Sequence, residues 1–210
     1  SGAGNGQTIA GDWMAKAVTW GSVWTTNPQQ VVQYASCHDN YTLIDKLVLS
    51  TSASGITDDI ISMNNLAAAI YMTSQGIPFI HAGEEMLRSK PLEDGTFDHN
   101  SYKSPDRVNS IKWSMLKHKI HRDTFEYYKG LIAFRKAHPV LRLTSSYDVL
   151  SHVIALPCEH PHVCAFQLTG NLDTEPADAL FMIFNASEEM LTMDLPAGTW
   201  KICCRKSLTR

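Results

Sequence analysis

Two short apolar runs, each followed by a helical pattern, constrain the fold of this chain more than any other feature. Val31–Ala35 and Ile77–His81 are rich in β-forming residues and carry no acidic or basic side chain except the last histidine. The stretches Thr42–Leu49 and Thr57–Ser74 have the apolar spacing of helices, and Gly76 stands where a helix commonly ends. Strands and helices in this alternating order predict parallel βα units.

The pattern changes near Pro139. Before it, a helix is predicted over Asp123–Ala137, and a polar loop from about residue 88 to 112 has a length that is usually functional. After it, short strands joined by turns indicate a small antiparallel β region. The predicted strands cover Val149–Ala155, Val163–Leu168, Ala179–Phe184, Met190–Leu195 and Thr199–Cys204. We therefore expect an α/β region over residues 1–138 and a β-sandwich region over residues 139–210.

Composition excludes several classes of function. The 210 residues are 44% hydrophobic and 19% charged, which is a folding composition. With 18 basic and 21 acidic residues the net charge is −3, so nucleic acid is not an expected partner. The apolar runs are far shorter than the roughly 20 residues that span a membrane. An odd number of cysteines, five, and no recognisable signal peptide favour reduced thiols and a cytoplasmic location.

The pair His38–Asp39, directly after the first apolar run, carries the most chemistry. In parallel α/β folds the carboxyl ends of the strands meet where ligands bind. Glu84 and Glu85 follow the second run, so acidic side chains are expected at the same rim. Taken alone, an adjacent His–Asp pair is more often a structural hydrogen-bonded pair than a site, and the surrounding sequence decides between the two.

Four segments in series resemble the α-amylase superfamily, in the form found in type I pullulanases. The match runs in order and spacing from about Asn27 to Pro139, and the β region falls where those enzymes carry a C-terminal domain. Gln33–Lys46 corresponds to the fourth conserved region of that superfamily, and Gly76–Lys90 to the eighth strand with its loop. Asn100–Trp113 corresponds to the substrate loop, and Tyr127–Pro139 to the last barrel helix.

The resemblance implies an architecture larger than this chain. Residues 1–138 would hold strands seven and eight of a (β/α)8 TIM-type barrel, and residues 139–210 an antiparallel β-sandwich domain that is truncated. A barrel of this type needs eight βα units, and two cannot close it. The expected partners are therefore a missing N-terminal part of the same barrel and a branched α-glucan.

The activity implied by the resemblance is hydrolysis of α-1,6-glucosidic branch linkages in pullulan, limit dextrins or glycogen- and starch-type glucans, without cofactor or metal. A retaining mechanism uses a nucleophile and an acid about 5 Å apart. The superfamily takes both from the fourth and fifth strands, which no segment here matches. Asp39 matches a third carboxylate that binds the sugar, and His38 binds the same sugar and orients Asp39. An isoamylase-like debranching enzyme and a non-catalytic glucan-binding remnant are the alternatives.

The resemblance also assigns residues that hold neighbouring glucose units. Asn40 and Tyr41 open the loop just beyond the His–Asp pair. Asn100 and Tyr102 lie in the substrate loop, where an amide supplies hydrogen bonds to hydroxyls and an aromatic ring stacks on the sugar. These side chains are the expected substrate-binding set.

Glu84, Glu85 and Arg88 are expected to support the site from behind. Adjacent side chains at a strand end diverge, so the two glutamates are not a nucleophile–acid pair. We expect them to be structural, or paired with Arg88 or Lys90.

Two other patterns suggest different chemistry. Cys37 beside His38 could be a thiol nucleophile with its base, although neighbouring strand side chains point to opposite faces. The tryptophans are expected to pack in the core, with Trp13 and Trp24 also able to line the cleft. Two thiols and two imidazoles lie close together in the sequence, at Cys158, His160, His162 and Cys164. They could form a zinc site, but the simpler prediction is an exposed hairpin turn between two strands.

Overall fold

The structure combines helices packed around a short parallel sheet with a second, antiparallel sheet. A computed structural model describes residues 26–158, 160–170 and 173–203, and Trp13 and Trp24 lie outside these ranges. Within them, no helix is both long enough and apolar enough to cross a bilayer. The helices and strands in chain order are β1 (Val32–Gln33), α1 (Leu43–Thr51), α2 (Asp58–Thr73), β2 (Ile77–Pro78), α3 (Asp106–Asn109), α4 (Lys119–Ala137), α5 (Ser146–His152), β3 (Val153–Leu156), β4 (Val163–Thr169) and β5 (Ala179–Asn185).

Strands β1 and β2 pair in parallel, with Val32 opposite Ile77. This confirms the predicted parallel pairing, although each strand is shorter than the apolar run that predicts it. Gly76, directly before β2, has a φ of +95°, and a Cβ there would lie 2.8 Å from the carbonyl oxygen of Val31. A glycine is required because the backbone is left-handed and the two segments approach closely.

The helices begin at caps that are visible in the sequence. The Thr42 and Thr57 hydroxyls each accept a hydrogen bond at 3.3 Å from the backbone N–H three residues later, which starts α1 and α2. Helix α4 begins at Lys119, earlier than the predicted start at Asp123, and it ends before Pro139 as predicted. The two long helices pack on each other beside the parallel sheet.

Strands β3, β4 and β5 form an antiparallel sheet in that order. One face of this sheet is buried, with Phe166 on β4 opposite Met182 on β5. That face packs on Val140, which follows α4, and on Phe134 and Ile70 from the helices. The antiparallel sheet and the helical region therefore share one hydrophobic core.

The first predicted strand of the β region is partly wrong. Residues 149–152 belong to α5, and the strand starts only at Val153. The reason is a helix cap, because the Ser145 hydroxyl accepts from the backbone N–H of Asp148 at 3.1 Å and donates to the carboxylate of the same residue at 2.6 Å. The apolar alternation of this segment favours a strand, but the cap fixes its first turn as a helix.

The last two predicted strands are also wrong over the residues that the structure describes. Met190–Leu195 and Thr199–Cys203 have no regular structure, and Cys204 lies outside the described ranges. The Trp200 indole N–H donates to the carbonyl of Pro196 at 2.9 Å, and its ring contacts Phe181 of β5 at 6.0 Å between centroids. This segment therefore packs on the sheet through a side chain rather than through backbone pairing.

Two buried polar side chains fix the junction between the helical region and the antiparallel sheet. Gln75, fully buried after α2, donates to the carbonyl of Val140 at 2.8 Å and accepts from the N–H of Leu143 at 3.0 Å. Glu175, in the connection between β4 and β5, accepts from the N–H of Val140 at 3.1 Å and contacts the His138 ring at 2.6 Å. These contacts set the position of the sheet relative to the helices.

The parallel sheet exposes an apolar face. Val32, Tyr34, Ile77 and Phe79 are 51%, 53%, 48% and 42% exposed, and the two aromatic rings meet edge to face at 6.0 Å. Apolar side chains gathered in this way on a sheet indicate a surface that contacts another element.

Arg135 of α4 closes the end of α2. Its buried guanidinium donates to the carbonyl oxygens of Met72, Ser74 and Gly76 at 2.9, 2.8 and 2.8 Å. Burial lowers the pKa of Arg135 to about 10, so the side chain remains charged at neutral pH. Carbonyls at a helix end have no partner within the helix, and Arg135 supplies one.

Replacing Arg135 by methionine is expected to lower the free energy of unfolding by about 3 kcal/mol, because three carbonyls lose a charged donor in a buried place. Lys136→Met is the matched control, since Lys136 is the next residue and exposed; we expect it to change stability by less than about 0.5 kcal/mol. Urea unfolding followed by circular dichroism measures both. Equal midpoints for the two variants would contradict this role.

Candidate functional site

The His38–Asp39 pair lies just beyond the carboxyl end of β1, on the surface. The two side chains are 85% and 84% exposed, and the imidazole Nε2 lies 3.5 Å from the carboxylate Oδ2. Ser36, two residues earlier, is buried, so the chain passes from the interior to the surface within three residues. The arrangement presents one imidazole and one carboxylate to a ligand from outside.

The structure does not support the two alternative chemistries. Cys37 Sγ has the carbonyl of Asp39 as its partner, at 3.7 Å, rather than the adjacent imidazole. Within the described ranges no group of three or more His, Cys, Asp or Glu side chains could hold a metal ion. Residues 157–158 and 160–162 lie between β3 and β4, where His160 Nδ1 accepts from the His162 N–H at 3.2 Å. Cys158, His160 and His162 therefore lie in the connection of a hairpin, whereas Cys164 is a buried residue of β4, so the exposed-turn interpretation holds for only part of the cluster.

The polar loop predicted from about residue 88 to 112, which contains most of the predicted substrate loop, is built from short ordered elements. A bridge joins Pro91 to Phe97, and a 3-10 turn over Ser101–Lys103 precedes α3. Asn100 is exposed, and Tyr102 is 75% exposed with the Lys103 ammonium 5.3 Å from its ring centre. Trp113, at the end of this segment, is 62% exposed, so of its expected roles as a core or a packing residue the core role is excluded.

Ring contact brings the two candidate segments together. The ring of Tyr41, after the His–Asp pair, lies 5.7 Å from that of His99, which directly precedes Asn100. Asn40 has a left-handed φ of 69°, and its side-chain oxygen accepts from the N–H of Tyr41 at 2.9 Å. Asparagine tolerates this backbone better than most residues, which suits it to the bend.

Glu84 lies buried beneath the rim, as the acceptor of three hydroxyl groups. Ser36 and Tyr71 donate to its carboxylate at 2.6 and 2.7 Å, and Tyr128 donates at 3.2 Å. Ser36 belongs to the segment after β1, while the two tyrosines come from α2 and α4. His81 stands beside this group, with its Nδ1 3.5 Å from the Ser36 hydroxyl.

Burial dominates the titration of this cluster. It raises the pKa of Glu84 above its ordinary value, although the three hydroxyl donors oppose the shift. Burial also lowers the pKa of His81 to about 4, with Arg88 and Lys90 adding repulsion, so this imidazole is neutral at pH 7. Burial and the neighbouring carboxylate raise the pKa of Tyr71, which remains a hydroxyl donor.

Of the two expectations for the glutamates, structural support or an ion pair with Arg88 or Lys90, the structure excludes only the ion pair. Glu84 and Glu85 are not ion-paired with Arg88 or Lys90. Glu85 accepts from the N–H of Gly83 at 2.9 Å, and Arg88 donates to the carbonyls of Ala82 and Asn109. Hydroxyls and backbone groups, rather than opposite charges at ion-pair distance, are therefore the partners of these side chains, and among the described residues the buried Nε of Arg88 has no hydrogen-bond partner.

Sequence reasoning missed the partners of Glu84. Ser36, Tyr71 and Tyr128 read as ordinary strand or helix residues, and they lie 13 to 48 positions from Glu84 along the chain. The only local signal is a carboxylate at a strand end where apolar residues surround it. No pattern in a single sequence identifies which distant hydroxyls meet it.

Comparison with known proteins agrees with the matched segments. Residues 149–207 match the family described as "Pullulanase, all-beta domain". The pullulanase of Bacillus subtilis strain 168 is 32% identical over 169 residues, which is 80% of this chain and 22% of that protein. The isoamylase of Flavobacterium sp is 34% identical over 173 residues, which is 73% of this chain and 21% of that protein. A crystal structure of pullulanase type I from Bacillus subtilis strain 168 complexed with maltose superimposes with a TM-score of 0.80 and 29% identity, covering 91% of this chain and 26% of that one.

These matches define the class of proteins that the chain resembles, that of the pullulanases. Within that class, the chain is a type I pullulanase-like portion, which confirms the resemblance carried by its four segments. It spans about a fifth to a quarter of the length of the relatives just described.

The stability contributed by Glu84 is expected to depend on pH. The raised pKa means that the folded protein holds a proton on Glu84 at pH values where the unfolded chain has released it. Stability is therefore lost as the pH rises from about 4.5 through the folded-state pKa. Glu84→Gln does not titrate, so the wild-type melting temperature should fall relative to that of this variant as the pH rises.

Calorimetric melting of both proteins between pH 4.5 and 8 measures this difference. Glu126→Gln, an exposed glutamate of α4, is the matched control and should track the wild type at every pH. A wild-type to Glu84→Gln difference that stays constant over the range would show that Glu84 is not the titrating group.

Proposed function

We propose that the protein containing this chain is a glycoside hydrolase that debranches α-glucans, cleaving α-1,6-glucosidic linkages with retention of configuration. The observation that carries the proposal is the ring contact of Tyr41 with His99, which supports a shared site for the two segments that follow the parallel strands β1 and β2. The likeness to a type I pullulanase crystallised with maltose supports a glucan as the ligand. Pullulan, limit dextrins and glycogen- or starch-type glucans are the proposed substrates.

The proposal includes the architecture of the whole protein. We assign residues 1–138 to strands seven and eight of a (β/α)8 barrel and residues 139–210 to a β-sandwich domain. The exposed apolar face of the parallel sheet, formed by Val32, Tyr34, Ile77 and Phe79, supports this because an N-terminal part of the same barrel would cover it. The nucleophile and the acid would come from that part.

Asp39 and His38 are proposed to act on the sugar at the cleavage point. Asp39 would hydrogen-bond the sugar hydroxyls and present negative charge to the ring as it becomes oxocarbenium-like. Such contacts strengthen in the transition state and so lower the barrier rather than only binding substrate. His38, 3.5 Å from Asp39, would donate to the same sugar and keep the carboxylate oriented.

The neighbouring glucose units are proposed to lie between the two segments. Tyr102 offers an exposed ring and Asn100 an exposed amide, and these are the groups that a sugar needs for stacking and for fixed hydrogen bonds. Asn40 and Tyr41 would close the opposite side. Glu84, Glu85 and Arg88 would hold the backbone beneath without touching substrate.

The second candidate is an isoamylase-like activity, which the similarity to the Flavobacterium isoamylase favours. Both activities cleave branch linkages, so they differ in substrate rather than in chemistry. Comparing the rates on pullulan and on amylopectin distinguishes them, because only the first candidate prefers pullulan.

Asp39→Asn in the full-length protein is expected to lower kcat on pullulan by about 10²–10³, equivalent to about 3–4 kcal/mol of transition-state stabilisation. KM should change much less, because the lost contact acts mainly in the transition state. Glu93→Gln is the matched control, since Glu93 is an exposed carboxylate paired with Arg107 at 2.9 Å. A kcat for Asp39→Asn within a few-fold of the control would contradict the assignment.

The 210-residue chain by itself is expected to release no reducing sugar from pullulan. Retaining hydrolysis needs both a nucleophile and an acid, and Asp39 cannot supply both. The assay compares the purified chain with a heat-killed sample. Sugar release above that background, abolished in Asp39→Ala, would overturn the proposed division of the catalytic groups.

A further inference from the structure

Asp45 is a buried carboxylate that joins two separate segments of the candidate site. It lies in the first turn of α1, three residues after the Thr42 cap, where an acid usually bonds back to the cap residue. Its carboxylate instead accepts from the Ser89 hydroxyl and, at 2.9 Å, from the backbone N–H of Lys90. Asp45 is 1% exposed. The first turn of α1 is thereby hydrogen-bonded to Ser89 and Lys90, at the start of the polar loop that runs from about residue 88 to 112.

Lys90 extends this link to the turn that carries Asn100 and Tyr102. Its side chain is buried, and its ammonium donates to the Ser101 hydroxyl at 2.6 Å. Its carbonyl accepts from the N–H of Asp98 at 2.8 Å. Ser101 stands between Asn100 and Tyr102, so the ammonium holds the turn that presents both side chains.

The far end of the loop is tied to the same turn. The Asn109 amide donates to the carbonyls of Ser101 and Ser104, the second at 3.0 Å, and Arg88 donates to the carbonyl of Asn109. With these bonds the turn is fixed from the loop side. The link through Lys90 and Asp45 ties it to α1, on which Phe97 of the same loop also packs through Ile44 and Val48.

These contacts form one continuous path between the two sugar-facing segments. It runs from Tyr41 and its neighbour Thr42 through Asp45 and Lys90 to Ser101. Thr42, Asp45, Lys90 and Ser101 are buried along this path. If one hydrogen bond is broken, water therefore cannot replace the lost partner, and the remaining polar group stays unsatisfied. The two segments are therefore expected to keep a fixed separation when no ligand is bound.

We propose that Asp45 and Lys90 are positioning residues for glucan binding, which hold the Asn100–Tyr102 turn at a set distance from the His38–Asp39 segment. The inference rests on the proposed function. Neither residue touches substrate, and both act through the turn that they hold. Without the link the turn would be mobile when no ligand is bound. Sugar binding would then have to order the turn, and that entropic cost would weaken the affinity.

The first test measures KM and kcat on pullulan for full-length Lys90→Met and Asp45→Ala. We expect KM to rise about three- to tenfold while kcat stays within about threefold, since ground-state and transition-state binding are weakened alike. Asp45→Asn keeps an acceptor for the Lys90 N–H and should restore most of the affinity. Asp59→Ala, an exposed acid in the first turn of α2, is the matched control and should leave both constants unchanged.

A double-mutant cycle with Tyr102→Ala tests whether the link acts through the turn. If Lys90 works by placing the turn that carries Asn100 and Tyr102, Lys90→Met should raise KM by a smaller factor in the Tyr102→Ala protein than in the wild type. Independent, multiplicative effects on KM would overturn the proposal.

Amide hydrogen exchange without substrate supplies a readout that does not need activity. Backbone amides of residues 98–104 should exchange at least about tenfold faster in Lys90→Met than in the wild type, while those of α2 and α4 stay unchanged. If the wild type cleaves no α-glucan, the proposed function fails and exchange alone decides the positioning role. Unchanged exchange over residues 98–104 in a folded Lys90→Met protein would overturn it. If Asp45→Ala does not fold, Lys90→Met carries the test.

Discussion

The carboxylate of Glu84 is the contact on which the region around the candidate site depends. It lies in the 3-10 turn Glu84–Met86 after β2 and gathers hydroxyls from the segment after β1, from α2 and from α4. A buried carboxylate without an opposite charge is costly, and three donors offset that cost only if all of them converge. Any displacement of β1, α2 or α4 would leave one hydroxyl or one lone pair unsatisfied. The contact therefore specifies one arrangement of the elements and not merely a compact one.

Along the same chain segments, exposed residues that we propose to bind sugar alternate with buried residues that stabilise the fold. Ser36 points into the Glu84 cluster, whereas His38 and Asp39 emerge at the surface. The polar loop from about residue 88 to 112 shows the same division, with Lys90 and Ser101 buried and Asn100 and Tyr102 exposed. Alternation between buried anchors and exposed groups that we propose to bind sugar gives each segment a rigid base. A sugar site gains from such rigidity because fixed hydrogen bonds cost less entropy on binding.

The fold agrees with prediction where local chemistry decides and departs from it where distant contacts decide. The helices and the parallel pairing follow from apolar spacing, threonine caps and the glycine before β2. The strand predicted from Val149 begins late because the Ser145 cap wins over apolar alternation. The segments after β5 lack strand structure within the described ranges, where Trp200 packs on Phe181 instead. The antiparallel order of β3, β4 and β5 fits the predicted hairpins.

The amino-acid sequence by itself determined the two long helices and the parallel strand pair, which strand ends carry acidic and imidazole groups, and which family the chain resembles. These features depend on residue type and short spacing, which a linear sequence records directly. Tertiary structure alone decided that Glu84 bonds Ser36, Tyr71 and Tyr128 rather than Arg88 or Lys90, and that Asp45 reaches Ser89 and Lys90 instead of closing its own helix cap. The physical reason is that a buried polar group must find its partners in space, and residues more than 40 positions apart along the chain meet only once the strands and helices have packed.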